Sequence, residues 1–438
     1  MNSSNPKGET SSTAQSRVWS ISDNLRGAMP AEEAIRLILE MTVIYKLEPV
    51  EFERLYKQPK ASQYDFLINM LDTLPALKNL ECLPGLRTKK LSQETVQELV
   101  FGLHGTDDFT GLAKVLQDSL VNAGFKKGAE HSTEDSIVVL VKALAGDLST
   151  SSVFDGAAGV CNLTSSLNCA KLSLAEVNQT TRNVGQSILL LNDVQPDYQL
   201  NNSLLNAGGS HSADLVVTQP PFGLRLSADE QNKLLDAPYI QFDQGKRVPS
   251  SAADALWIQH ALYNLNETGR AIMLLPTGWL FRGGYDAKLR QYLLDHDLIE
   301  AIIGLPAGLL ASTNMPTVLI VLNKAKPESQ TSIINFVDAG GVGVAERKKT
   351  VLSNANIDLI VDLVKGQQPE HIKFKSVLVP DILKNEQDLN ISNFFSKEQL
   401  ISIPDLEEEQ LKLEQAKTRF NTAQNQLLRL LELNSSRP

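Results

Sequence analysis

The sequence predicts an α/β protein in which a helical N-terminal domain is followed by a Rossmann-like domain with a mostly parallel sheet and then by a coiled-coil-like helix. Three observations lead to this prediction. The pattern is helical from Ala31 to about Gly146, short β-rich runs alternate with helices from about Thr150 onward, and one apolar stripe marks a helix after Leu406. Alternation of strands and helices is typical of βαβ units, whose parallel sheet is covered by helices on both faces.

The same patterns divide the chain of 438 residues into four segments. We expect a disordered arm over 1–28, a helical domain over 29–128, the α/β domain over 129–385 and a helical docking tail over 386–438. The arm is predicted because its first residues are small and polar. No apolar segment follows a basic start, which argues against a secretory leader.

Composition excludes several other classes of protein. Hydrophobic residues make up 42% and charged residues 21% of the chain, as in ordinary globular proteins, and no run approaches the roughly 18 apolar residues of a membrane span. The three cysteines and six histidines are scattered, so we expect no disulfide framework, no metal site and a cytoplasmic setting. A net charge of −10 argues against a broadly basic surface for nucleic acid, although a local basic face stays open.

Helix signals fill the N-terminal domain. Ala31–Leu39 places apolar residues at helix spacing with acids in the first turn. Ser92 precedes another helical pattern and is a candidate N-cap. Tyr64–Leu74 and Leu112–Ala123 have the same periodicity. No alternating pattern interrupts them, so the domain is predicted to be α-helical.

Seven short runs in the following domain are predicted to be strands. They are Ser152–Asp155, Leu172–Val177, Asp214–Thr218, Arg270–Pro276, Leu298–Leu305, Thr317–Asn323 and Ile333–Asp338. Several of these runs lack polar alternation, which is typical of central strands that are buried on both faces.

Apolar residues at heptad a and d positions define the tail. They are Leu406, Leu413, Ala416, Phe420, Ala423, Leu427 and Leu430. One narrow stripe of this kind suits a coiled-coil seam or docking on another helix. The stripe spans only about three heptads, so packing against the body of the same chain stays open.

The first predicted strand ends in an acid and runs into a turn of small residues. Asp155-Gly156-Ala157-Ala158-Gly159 lies at the carboxyl end of that strand, before a predicted helix near Cys161–Leu167. Ligands of open α/β sheets bind at this edge, near free N–H groups of a helix N-terminus. Glu176 ends the next strand about 20 residues later, where an acid can accept hydrogen bonds from ribose hydroxyls. A dinucleotide and S-adenosylmethionine both fit this pattern, but the missing GxGxxG run disfavours a dehydrogenase.

A third strand runs directly into an unusual loop. Ala213–Thr218 is followed by Gln219-Pro220-Pro221-Phe222-Gly223. The two prolines end the sheet and make the loop rigid. A polar amide before them and an aromatic ring after them form a clamp for a planar base, in which the amide binds an exocyclic amine and the ring stacks.

With these motifs the sequence resembles the modification subunit of type I restriction-modification systems, and N-6 adenine DNA methylases more generally. The family's cofactor turn, Asp-Pro-Ala-Cys-Gly-Thr-Gly-Gly, aligns with Asp155–Asn162, and its Asn-Pro-Pro-Phe/Tyr loop aligns with Gln219–Phe222. Gly269–Gly284 and Leu298–Lys326 resemble the family's downstream strands, and His131-Ser132-Thr133 takes the place of its Tyr-Thr-Pro segment. The resemblance covers the chain from about His131 onward.

The resemblance implies a methyltransferase that moves a methyl group from S-adenosylmethionine to N6 of an adenine flipped out of double-stranded DNA. Its partners would be a specificity subunit and, in some assemblies, a restriction subunit. The implied cofactor-binding residues are Asp155, Gly156, Ala157, Gly159, Glu176 and Asn202. The implied catalytic residues are Gln219, Pro220, Pro221 and Phe222.

Four features depart from the family pattern. Cys161 and Asn162 replace glycines of the cofactor turn, Asn202 replaces an acid, the His-Ser-Thr segment lacks a proline, and Gln219 replaces the catalytic asparagine. A Cβ atom in the turn penalises close approach of a ligand, and a displaced amide slows transfer. Two hypotheses follow: a DNA methyltransferase whose turnover is in question because of Gln219 and Cys161, or a catalytically impaired relative that binds DNA or acts as a scaffold.

Overall fold

The computed structural model describes residues 6–123, 133–207, 212–243, 246, 248–251, 253–310, 315–346, 349–367 and 373–395, with 414, 417, 418, 420, 421 and 424. The chain forms two compact units, Met1–Phe394 and Phe395–Pro438. Among the described residues, no helix is both long enough and apolar enough to cross a membrane.

Helices make up the first third of the chain. Their bounds are α1 Pro6–Asn24, α2 Ala31–Leu47, α3 Pro49–Lys57, α4 Lys60–Thr73, α5 Pro75–Lys78, α6 Pro84–Thr88, α7 Gln93–Leu103, α8 Phe109–Ala123 and α9 Asp135–Ala145. The predicted cap of α7 is present, since the Ser92 hydroxyl accepts a hydrogen bond from the Thr95 N–H at 3.1 Å. The four predicted helical patterns therefore correspond to α2, α4, α7 and α8.

The predicted disordered arm over 1–28 is wrong for most of its length, because α1 occupies it. Val18, Ile21 and Leu25 are no more than 4% exposed and belong to the same apolar core as α2, α7 and α8. Val18 and Ile21, three residues apart, lie on one face of α1, and Leu25 follows directly after the helix ends. The polar residues around this short apolar stripe concealed it in the sequence.

Strands and helices alternate in the remainder of the first unit. The strands are β1 Ser152–Asp155, β2 Lys171–Glu176, β3 Asp197–Leu200, β4 Ala213–Thr218, β5 Leu265–Pro276, β6 Ile299–Gly304, β7 Thr317–Asn323, β8 Ile333–Asp338, β9 Val344–Glu346, β10 Lys349–Val351 and β11 Phe374–Leu378. The helices are α10 Gln179–Leu191, α11 Ala228–Lys233, α12 Asp254–Asn264, α13 Tyr285–Asp295, α14 Asn354–Val364 and α15 Val379–Lys384.

Nine of these strands form one sheet in the order β11-β8-β6-β7-β5-β4-β1-β2-β3, while β9 and β10 form a separate hairpin. Pairs involving β7 and the β8–β11 pair are antiparallel, and the other five pairs are parallel. The predicted α/β class and mostly parallel sheet are confirmed. The chain continues from β1 to β2 on one side and later returns to the other side of β1 as β4. Ligands of open α/β sheets bind at such a reversal of strand order.

Two apolar cores among the described residues bear on the position of the site. One core is built from side chains of the N-terminal helices, from α1 through α8, and it includes Val184, Ile188 and Leu191 of α10. The other lies against the sheet and gathers side chains from β1, β4, β5, β6 and β7. Since α10 contributes to the helical core and directly follows β2, it fixes the helical segment beside the carboxyl edge of β1 and β2. The proposed domain boundaries at 128/129 and 385/386 stay predictions.

The second unit is described at Phe395, which lies in a bend, and at six later positions, which are all helical: Glu414, Lys417, Thr418, Phe420, Asn421 and Gln424. Of the predicted heptad positions, only Phe420 lies among them, and it is exposed. The other apolar positions of the predicted stripe, from Leu406 to Leu430, lie outside the described residues.

A buried acid links two helices of the N-terminal segment. Both carboxylate oxygens of Glu40 on α2 accept hydrogen bonds from the start of α6, one from the Gly85 N–H at 3.0 Å and one from the Leu86 N–H at 2.8 Å. Burial raises the pKa of Glu40 from 4.5 to about 7, although these two bonds partly offset the effect. Between pH 4.5 and about 7, the folded protein therefore keeps a proton on Glu40, whereas the unfolded chain has lost it.

We expect Glu40→Gln to gain stability relative to the wild type as the pH rises. The wild-type carboxyl contributes fully to stability below pH 4.5, and this contribution falls as the pH rises through about 7. The difference between variant and wild type should therefore grow by about 3 kcal/mol over this window. Urea denaturation at stepped pH measures it. Tyr45→Phe, on the same helix, leaves the carboxyl in place and should follow the wild-type pH profile; parallel profiles for Glu40→Gln and the wild type would contradict the account.

Candidate active site

Three strand ends meet where the strand order of the sheet reverses. Asp155, Glu176 and Thr218 are the last residues of β1, β2 and β4, and β1 pairs in parallel with both of the other strands. All three residues are buried. The two predicted motifs, the turn after Asp155 and the loop after Thr218, therefore lie side by side at the carboxyl edge of the sheet.

The two acids hold the turn through its backbone N–H groups. Glu176 accepts one hydrogen bond from the Gly159 N–H at 3.0 Å and another from the Asn178 N–H at 2.7 Å. Asp155 accepts a bond from the Ala157 N–H at 3.0 Å. Because each carboxylate oxygen can accept two hydrogen bonds, the bonds of Glu176 are compatible with further bonds from ligand hydroxyls.

Three side chains that the sequence did not single out hold the carbonyl groups of the same turn. The Ser203 hydroxyl donates to Gly156 O at 2.6 Å, and the Tyr198 hydroxyl donates to Gly159 O at 2.6 Å. Gln117 Nε2, from α8, donates to Val160 O at 2.7 Å. The shape of the turn thus depends on β3, on the loop after it and on the helical segment. Tyr198 carried the only signal in the sequence, as the one aromatic residue of a short polar strand.

The predicted helix near Cys161–Leu167 is wrong. The segment forms successive turns, in which the Thr164 and Ser165 N–H groups donate to Cys161 O. Cys161 has a φ of 64°, in the left-handed region, which does not continue an α-helix. The site therefore lacks the helix N-terminus that we expected here. The N–H groups of Ala157 and Gly159 in the turn donate instead to Asp155 and Glu176.

The side chain of Cys161 does not occupy the ligand side of the turn, contrary to our expectation. Cys161 is fully buried, and its Sγ lies 2.8 Å from the point where a Cβ on Gly185 would stand. The thiol therefore packs beneath the turn, between the turn and α10. The penalty for close approach of a ligand that we predicted from this substitution does not arise from the Cys161 side chain.

The turn leaves room for a ligand above Gly159. This residue has a φ of +57°, and no atom lies within 4 Å of the place a Cβ would take. Val177, directly after Glu176, is 59% exposed at the same sheet edge. A buried acid, an open backbone turn and an exposed apolar side chain fit the ribose, the methionine and the adenine of S-adenosylmethionine. Val177 was missed because one valine after a strand carries no motif.

Burial changes the ionisation of both acids. It raises the pKa of Asp155 from 3.8 to about 7, and it also raises the pKa of Glu176. A cation placed beside these carboxyl groups would favour their charged form. The electrostatics of the turn therefore suit a positively charged ligand.

The loop after β4 has a rigid and largely buried start. Pro220 is buried, Gln219, Pro221 and Phe222 are half-buried, and the Phe222 ring packs against the sheet core. Gly223 has a φ of +66°, where a glycine avoids steric strain. The loop thus presents an amide and an aromatic ring on a fixed backbone next to the cofactor turn.

Thr133 of the entry segment bonds to both motifs of the site, whereas Asn202, among the described residues, bonds only within its own loop. The hydroxyl of Thr133 donates to Gln219 Oε1 at 2.8 Å, and its carbonyl accepts from Asn162 Nδ2 at 2.9 Å. His131 and Ser132 lie outside the described residues. Asn202 follows β3 at the same edge, where its Oδ1 accepts the Leu205 N–H at 3.2 Å and so closes a local turn.

We expect Gly185→Ala to lower the free energy of unfolding by about 2 kcal/mol. A Cβ at this position of α10 would lie 2.9 Å from Gly159 O and 3.0 Å from the Tyr198 hydroxyl, in addition to the Cys161 contact. The backbone oxygen belongs to the turn, so the turn must shift. Urea denaturation measures the loss. Ser187→Ala, in the same helix, removes only one long bond of 3.4 Å to Cys82 O and serves as the control; equal stabilities of the two variants would contradict this packing.

Comparison with known proteins gives consistent results. The family model described as N-6 DNA Methylase matches residues 114–401. The type I restriction enzyme MpnII methylase subunit of Mycoplasma pneumoniae is 27% identical over 343 residues, which are 72% of this chain and 62% of the relative. The type I restriction enzyme MjaVII methylase subunit of Methanocaldococcus jannaschii is 32% identical over 185 residues, which are 41% of this chain and 32% of the relative. The chain thus spans less than two thirds of these relatives.

A solved structure has the same fold. The type I restriction-modification system methyltransferase subunit of Streptococcus thermophilus superposes with a TM-score of 0.71 and 18% identity. The match covers 88% of this chain and 100% of that chain. This similarity confirms the predicted Rossmann-like architecture.

Proposed function

Because this chain belongs to the N-6 DNA methylase family, we propose that it transfers a methyl group from S-adenosylmethionine to N6 of adenine in DNA. One observation supports this most strongly. The acid-held turn after β1 and the Gln219–Phe222 loop after β4 lie side by side where the strand order reverses. Cofactor and base would therefore meet at one sheet edge.

The cofactor would bind along the first two strand ends. Glu176 would hold the ribose hydroxyls, and Val177 would contact the adenine ring. Asp155, Gly156, Ala157 and Gly159 would line the methionine side, while Asn202 would close the site after β3. When bound, S-adenosylmethionine supplies an electrophilic methyl group.

The loop after β4 would hold the target base. Phe222 would stack on an adenine that has left the duplex, which costs a few kcal/mol in lost stacking and pairing. Gln219 Oε1 and the carbonyl of Pro220 would accept the two hydrogens of the N6 amine, and Pro221 would keep the loop rigid. These bonds orient the nitrogen lone pair, so the rate enhancement comes from positioning and electrostatics without a covalent intermediate.

Titration calorimetry of the full chain with S-adenosylmethionine tests the cofactor assignment. We expect saturable binding, because the turn, both acids and the open space above Gly159 are in place. No heat and no thermal shift at millimolar cofactor would refute the enzyme hypothesis for the chain. That result would instead favour a DNA-binding or scaffolding module, the role expected of a catalytically impaired relative.

We also propose that double-stranded DNA is recognised together with a specificity subunit, and that a restriction subunit joins some assemblies. A net charge of −10 suggests that a partner supplies much of the contact with DNA phosphates. The apolar stripe of the tail is the proposed docking element. Deleting residues 406–438 should leave the free energy of unfolding of the first unit within about 1 kcal/mol of wild type and weaken assembly with the specificity subunit. Light scattering of the mixed subunits measures this; an unchanged complex would exclude the tail as the docking element.

A further inference from the structure

One threonine bridges the two motifs of the site. The Thr133 hydroxyl donates to Gln219 Oε1 at 2.8 Å, and the Thr133 carbonyl accepts from Asn162 Nδ2 at 2.9 Å. Thr133 is only 6% exposed, so water competes little for either bond. Asn162 and Gln219 are both substitutions relative to the family pattern, and they are joined through this single residue.

We propose that Thr133 is a positioning residue, whose hydroxyl fixes the amide of Gln219 so that its oxygen meets the amine of the target adenine. The inference rests on the proposed function, and it concerns a residue for which the motif comparison gave no such role.

The chemistry of glutamine explains why such a bond is needed. Glutamine has one more rotatable bond than the asparagine typical of the family, so an unrestrained side chain would spread its oxygen over several positions. A displacement of about 1 Å at a reacting centre can cost about a hundredfold in rate. A carbonyl oxygen accepts two hydrogen bonds, so the bond from Thr133 is compatible with a second bond from the adenine amine.

Asn162 supports the same arrangement from the other side. Its amide holds the Thr133 backbone to the cofactor turn, so Thr133 cannot move away from Gln219 without breaking this bond. An asparagine at position 219 would be one methylene shorter and would not reach the Thr133 hydroxyl. We therefore expect Gln219→Asn to lose the contact and to transfer methyl no faster than the wild type, although it restores the residue typical of the family.

The orientation of the amide can be measured without any turnover. In the full chain labelled with 15N-glutamine, the side-chain signal of Gln219 is identified by its absence in Gln219→Met. Thr133→Val removes the hydroxyl at nearly constant shape and should move this signal away from its wild-type position. Thr133→Ser keeps the hydroxyl and should leave the signal in place. Thr164→Val removes the hydroxyl of another buried threonine in the cofactor segment and is the matched control. An unmoved signal in folded Thr133→Val would overturn the proposal.

Kinetics separate positioning from folding. With S-adenosylmethionine, a specificity subunit and DNA, Thr133→Val should lower kcat by about tenfold or more and leave the KM for the cofactor within about twofold. Thr133→Ser should recover most of the rate. A Thr133→Val enzyme with wild-type kcat would overturn the proposal. If the wild type transfers no methyl at all, the proposed function fails, while the glutamine signal still decides whether Thr133 holds Gln219.

Discussion

Glu176→Ala is expected to abolish detectable binding of S-adenosylmethionine, with a loss of affinity of at least about a hundredfold. The change removes the proposed acceptor for the ribose hydroxyls, and it also leaves the Gly159 and Asn178 N–H groups without their partner. An unsatisfied buried N–H group costs about 1–3 kcal/mol, so the cofactor turn should also loosen. Calorimetry gives the affinity, and urea denaturation gives the accompanying loss of stability.

Two further variants separate these contributions. Glu176→Gln keeps one carbonyl oxygen of similar position and should recover part of the stability but little of the affinity. Glu81→Ala removes an exposed acid that pairs with Arg182 at 2.8 Å, outside the turn, and should bind cofactor as the wild type does. Wild-type affinity in Glu176→Ala would place the cofactor away from β2 and would refute the assigned site.

The second large effect is expected for Phe222→Ala, in methyl transfer rather than in cofactor binding. Stacking of a base on an aromatic ring contributes about 1–3 kcal/mol, so kcat/KM for DNA should fall roughly tenfold to a hundredfold. The dissociation constant of S-adenosylmethionine should stay within about twofold, because the cofactor turn is held by Glu176 and Asp155. Single-turnover transfer of tritiated methyl measures the first quantity, and calorimetry measures the second.

Phe222→Tyr is the matched control for this prediction. It keeps an aromatic ring, and the family loop also carries tyrosine at this position, so most of the rate should remain. Because the Phe222 ring packs against the sheet core, stability must be compared for both variants. A Phe222→Ala variant that is folded and as fast as the wild type would show that no base stacks there.

The central strands β6 and β7 were predictable because they are buried along nearly their whole length, whereas β1 and β2 are only partly buried and were marked by the acids that end them. β1, β7 and β8 have the predicted bounds, β2 and β6 differ from them by one residue at both ends, and β4 begins one residue earlier than predicted. The predicted start of β5 at Arg270 is wrong, because this strand begins at Leu265. Continuous apolar runs give a strong local signal, and the motif residues stand at fixed offsets from them. β3 was missed, since three of the four residues of Asp197–Leu200 are exposed and only pairing with β2 makes them a strand.

The contacts that shape the site were not predictable from local patterns. Thr133 and Gln219 are 86 residues apart, and Gln117 and Val160 are 43 residues apart. Neither pair leaves a mark in the periodicity of its own segment. The orientation of Cys161 depends likewise on its left-handed backbone and on the space beside Gly185. Local sequence therefore predicted which strand ends carry the chemistry, while the side chains that hold them came only from tertiary packing.

Formation of N6-methyladenine tests the central claim most directly. Unmethylated DNA would be incubated with the chain, a specificity subunit and S-adenosylmethionine, then digested to nucleosides and analysed by mass spectrometry. We predict N6-methyldeoxyadenosine with the wild type and none with Glu176→Ala. Cofactor binding without any methylated adenine, in the presence of the specificity subunit, would contradict the claim that the Gln219–Phe222 loop supports methyl transfer.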